Sequence, residues 1–147
     1  MKLNTGLILF CLLFIVGFSG CTDPWEEVKK LEAEVMEVHD ISMAKMDKIY
    51  QTEKALKELR TQIGTEEHHD HPEFAVEIDQ ALADLDEADA GMFDWMANYK
   101  APKKEDYSVE EALKYLNDEM VKIKEVDAKT DKAISEGEKY IEEHGSK

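Results

Sequence analysis

Chemistry in this chain concentrates where histidine and methionine share a helical spacing. The segment Met36-Glu37-Val38-His39-Asp40-Ile41-Ser42-Met43-Ala44-Lys45-Met46 sets His39, Met43 and Met46 within a sector of roughly 60°, at about 100° per residue. Val35 and Ile49 continue the same apolar face. A second segment, Gly91-Met92-Phe93-Asp94-Trp95-Met96, puts Met92 and Met96 one turn apart. Folded as a hairpin, the two runs bring one imidazole and several thioethers to one slice of a small core, with Met120 near that level. Soft thioether sulfur with imidazole suits copper(I), and thioethers tolerate an oxidising compartment better than thiols do. Trp95 stands at the edge of the stripe, where it would shield such a site. Haem held by His39 and a methionine is a lesser alternative, since three helices leave little room for a porphyrin. The plain alternative is packing, because methionine fills irregular cores well.

A second set is Glu66-Glu67-His68-His69-Asp70-His71. His68, His69 and His71 with nearby carboxylates can hold zinc, nickel or copper(II). Their spacing matches no closed metal site, and the competing reading is a polar turn that caps the next helix. Three acids, Glu53, Asp89 and Asp127, fall on predicted core faces. They lack a Glu-x-x-His partner, so ion pairs that fix helix register are expected of them, with Lys57 and Arg60 as partners for Glu53 or Asp127. No nucleophile stands beside a base, and there is no phosphate-binding glycine loop or paired-carboxylate motif. The residues point away from catalysis.

The elements that must position these residues are helices. Asp23-Pro24-Trp25-Glu26 opens the first, with Asp as cap, Pro at the first helical position and Glu in the first turn. His71-Pro72-Glu73 opens the second, and Ser108-Val109-Glu110-Glu111 is a capping box for the third. Gly64, Ala101-Pro102 and Gly145 are the stops. The spacing predicts helices over about 24–63, 72–99 and 109–143, with apolar positions such as Val28, Val35, Ile49 and Leu56 in the first. The second carries Ile78, Leu82 and Leu85, and the third Leu116, Ile123 and Ile134. No run alternates as a strand does. Short connections predict an all-α, up-down-up three-helix bundle with coiled-coil-like packing. A long hairpin that pairs with a second copy is the alternative.

Before the first helix, a short basic start and an apolar run from Leu7 to Phe18 lead to Phe18-Ser19-Gly20-Cys21. This reads as a secretory signal over 1–20, with the mature domain over 21–147. The small residues before Cys21 resemble the lipobox of bacterial lipoproteins. That resemblance implies cleavage before Cys21, a thioether-linked lipid on its sulfur and a palmitate-type acyl group on the new N-terminus. The other cysteine, Cys11, leaves with the signal, so no disulfide within the mature chain is expected. The segments Glu34-Val35-Met36, Val38-His39-Asp40, Met43, Lys45-Met46, Ala90, Met92 and Trp95-Met96 resemble small lipoproteins of Bacteroidetes-type bacteria described as "viral A-type inclusion protein". The resemblance covers most of the mature chain and implies an envelope lipoprotein with a helical fold.

Charge sets the remaining bounds. Asp and Glu number 34 against 18 Lys and Arg, a formal charge of -16. Such a surface repels nucleic acid and anionic headgroups. It is expected to suit cation attraction, a basic envelope partner or self-association, or simply a solvated helix surface. The expected location is the cell envelope, on the outer membrane or its periplasmic face. With a continuous first helix, His39 would lie about 27 Å from Cys21 at 1.5 Å per residue. Trp25 suits either the membrane interface or the end of the bundle.

Overall fold

A computed structural model describes residues 23–63 and 72–145. The signal segment, Cys21, and His68, His69 and His71 lie outside the described residues. Among the described residues the fold is all-helical: α1 (Trp25–Met43), α2 (Met46–Ile63), α3 (Pro72–Asn98) and α4 (Val109–His144). None of these helices is long and apolar enough to cross a membrane.

Cross-helix contacts fix the directions. Tyr50 and Arg60 of α2 meet Asp89 and Asp79 of α3, so these helices run antiparallel. Glu87 of α3 meets Lys129 of α4, and the backbone N–H of Lys100 donates to Tyr115 Oη further along, so α3 and α4 are antiparallel too. Lys45 reaches Asp127 and Lys48 reaches Glu138, so the α1–α2 arm runs parallel to α4. The result is three helical passes around one core. In it α1 lies against α4, while α2 and α3 each lie against α4 and against one another.

The core follows from the three-and-four spacing of apolar residues. Val28, Val35, Ile49, Leu56, Ile78, Leu85, Met92, Leu116 and Ile123 have no measurable exposure. Each such side chain contributes about 1.5–3 kcal/mol on burial. Polar side chains at 42, 52, 119 and 130 interrupt the apolar stripe, and all four are buried.

The helix expected over 24–63 is divided at Ala44-Lys45. There the Lys45 N–H donates to Ser42 O at 3.0 Å and the Lys48 N–H to Lys45 O at 2.9 Å, a tighter turn than the α-helical one. Neither glycine nor proline marks the joint. Instead the Lys45 ammonium is held by Asp127 at 2.8 Å and Asp131 at 2.6 Å, both from α4.

The starts of α1 and α4 show the expected side-chain hydrogen bonds. The Asp23 carboxylate accepts the Trp25 N–H at 3.0 Å. At α4, Ser108 Oγ accepts the Glu111 N–H, and the Glu111 carboxylate accepts the Ser108 N–H at 2.9 Å. Trp25 is buried and covers the end of the bundle, with the Lys104 ammonium 5.8 Å from its ring centre. Lys104 also binds the Asp23 carboxylate at 2.6 Å, tying the start of α1 to the α3–α4 connection.

Candidate functional site

His39 lies in the last turns of α1 with its side chain 14% exposed. Its Nδ1 is 2.9 Å from the carboxylate of Asp40. An ionised carboxylate only accepts, so this contact makes Nδ1 the protonated nitrogen and leaves Nε2 with the lone pair in the neutral ring. A ligating histidine is usually oriented in this way. The ring packs on Trp95 of α3, with centroids 5.4 Å apart.

All six methionines of the described residues lie in the core or pack against it. Met92 is fully buried and Met46 nearly so, while Met43 and Met96 pack half-buried against the cluster, as do Met36 and Met120. The α2–α3 register set by Tyr50–Asp89 and Arg60–Asp79 places Met46 level with Met92 and Phe93. Carried one turn back across the joint, it places Met43 level with Met96. His39 meets α3 at Trp95, between Met92 and Met96 in sequence. Over these turns the candidate donors are one imidazole nitrogen and thioethers, a soft set. Among the described residues no three His, Cys, Asp or Glu side chains converge as a harder metal would need.

Trp95 continues into an aromatic row. It stacks on Tyr99 at 4.8 Å, Tyr99 lies 6.3 Å from Tyr115, and Tyr115 lies 6.0 Å from Tyr107 in the α3–α4 connection. Burial pushes the Tyr99 hydroxyl up to about 12, with Glu32 and Tyr115 adding to the effect. Neither the Tyr99 hydroxyl nor Trp95 Nε1 has a hydrogen-bond partner among the described residues. A buried donor left without a partner costs about 1–3 kcal/mol.

The acids on predicted core faces act as pairing groups. Glu53, its side chain 17% exposed, binds Lys57 at 2.6 Å. Asp89 accepts from the Tyr50 hydroxyl at 3.1 Å, which pushes the phenol above its ordinary range. Asp127 binds Lys45 rather than Lys57 or Arg60, and Arg60 instead forks onto Asp79 at 2.9 and 3.2 Å. Sequence reasoning missed Glu119, the most deeply buried acid, which is 5% exposed and bound by Lys122 at 2.7 Å. The signal was its place between Leu116 and Ile123, three residues from one and four from the other.

No family model matches the chain, and no curated protein or solved structure matches it either.

Proposed function

We propose that this protein is a lipid-anchored module of a bacterial cell envelope, structural or interactive in role and without catalysis. The observation that carries this reading is the apolar run from Leu7 to Phe18 closing on Ser19-Gly20-Cys21, with a capped helix beginning at Trp25 immediately beyond it. A thioether-linked lipid and a palmitate-type chain at Cys21 would hold a coiled-coil-like bundle close to its membrane, where an envelope partner or a second copy would meet its helical surface. Two lipid chains are the kind of double signal that anchors stably.

Metabolic labelling with an alkyne palmitate tests the anchor. The wild-type chain should label and sediment with membranes, and Cys21→Ala should do neither. A chain that stays unlabelled and in the supernatant would sink the proposal.

A second reading rests on His39, bonded to Asp40 and packed on Trp95 of α3, with Met92 and Met96 three residues before and one residue after that tryptophan. It makes the protein a copper(I)-binding lipoprotein. A competition titration under reducing conditions should then show one copper(I) per chain, with binding at least tenfold weaker in Met92→Leu. Affinity no tighter than micromolar in the wild type removes that reading.

A further inference from the structure

Between α3 and α4 runs a groove of about 660 Å3, a size that suits a small organic molecule. Its apolar lining comes from Ala88, Gly91, Trp95 and Val126. Two polar side chains that line it are more than nine-tenths buried: Trp95 at 6% exposure and Glu119 at 5%. The Trp95 indole N–H has no partner among the described residues and is itself enclosed, so Trp95 gives the groove ring surface rather than a reachable donor.

Gly91 makes the room. It lies inside α3 with ordinary helical backbone, and a Cβ built on it meets nothing within 4 Å. Glycine is disfavoured inside a helix relative to alanine, and here no close approach of a neighbouring chain requires it. What its missing side chain provides is space on the groove side of α3.

The charge is unbalanced. Carboxylates at 87, 94, 119 and 125 line the groove against the ammonium groups of Lys122 and Lys129. Lys122 pairs with Glu119 and Lys129 with Glu87, which leaves the carboxylates of Asp94 and Glu125 in excess. The whole-chain charge of -16 adds a field of the same sign.

We propose that this groove binds a small amphiphilic organic cation, whose apolar body lies along Ala88, Gly91, Trp95 and Val126 and whose ammonium sits among the carboxylates. The site shares Trp95 with the His39–methionine slice but uses none of its nitrogen or sulfur donors, and it does not depend on the lipid anchor.

Propranolol is a suitable probe, carrying a naphthyl ether, a hydroxyl and a secondary amine. Naphthyloxyacetate, with the same ring and a carboxylate, is its control. The purified full chain, 15N-labelled at tryptophan only, gives indole signals from Trp25 and Trp95. Propranolol should shift the Trp95 signal saturably and leave Trp25 in place, with the carboxylate at least tenfold weaker. Gly91→Leu, which fills the groove, should weaken binding tenfold or more. If that variant does not fold by circular dichroism, Glu119→Gln should weaken it similarly. The proposal is overturned if neither propranolol nor quinine gives a saturable Trp95 shift at millimolar concentration. An equal response to amine and carboxylate, or amine binding unchanged in the folded variant, overturns it too.

Discussion

Two glycines in opposite surroundings show how single residues set the packing. Gly137 of α4 is buried, and a Cβ placed there would lie 2.6 Å from the Thr52 methyl and 3.3 Å from Leu56 Cδ1. Gly91 would meet nothing. Gly91→Ala is therefore expected to raise stability by about 1 kcal/mol through helix propensity alone. Gly137→Ala is expected to lower it by about 1–3 kcal/mol through overpacking. Adding Thr52→Ser, which deletes the opposing methyl, should restore much of the loss. Thermal unfolding of the variants checks all three values, and a stable Gly137→Ala would show that α2 and α4 can part without cost. At this scale the burial of Met46 and Met92 was legible because both fall on the apolar stripe of the 3.6-residue period. Glu119 was not, since an acid among apolar neighbours reads as surface until its pairing with Lys122 is seen. The contact of His39 with Trp95 depends on register between helices distant in sequence, which periodicity alone does not fix.

Helix ends are the elements whose sequence is most explicit. The Ser108–Glu111 box satisfies a backbone donor in each direction. Ser108→Ala is expected to cost about 1 kcal/mol, read as a lower unfolding midpoint with the helical content of the native state kept. An unchanged midpoint would mean that the box adds nothing to the hold on this end. The helix starts at Trp25, Pro72 and Val109 were readable because their signals are local chemistry, confined to a few neighbouring residues. The joint at Ala44-Lys45 was not, because it arises from Lys45 reaching two aspartates more than eighty positions away. A contact made across the bundle leaves no mark on the local pattern of α1 and α2. The carboxylate pairs show the same division: Glu53–Lys57 lies within one helix turn, whereas Asp127 pairs with Lys45 of the distant α1–α2 joint.

The molecule as a whole carries far more acid than base, and most of its ion pairs are exposed. Exposed pairs contribute little each, so net self-repulsion should govern the response to salt. Raising sodium chloride from low to about 0.5 M is expected to increase the melting temperature by a few degrees, the size of roughly 1 kcal/mol in a domain of this length. A fall would place the ion pairs above repulsion. Protons act with a defined sign. The Lys104 ammonium and the Trp25 N–H hold Asp23 below its ordinary carboxylate range, Arg60 does so for Asp79, and Ser108 for Glu111. A carboxylate depressed in the folded state adds stability above its unfolded value near 4, and that share is lost as pH falls through the folded value. Stability should therefore hold from neutral pH to about 4 and decline below it, with a smaller decline in Asp79→Asn.

An odd number of helical passes has a consequence for reach. Residue 23 is clasped beside the α3–α4 connection, whereas His144 meets Phe74 edge-on at the opposite pole. The 36 residues of α4 span about 54 Å between those poles at 1.5 Å per residue. An even-pass bundle would return the chain to its own starting plane. This one works as a standoff: whatever is joined beyond residue 145 is carried a full rod length from whatever holds residue 23.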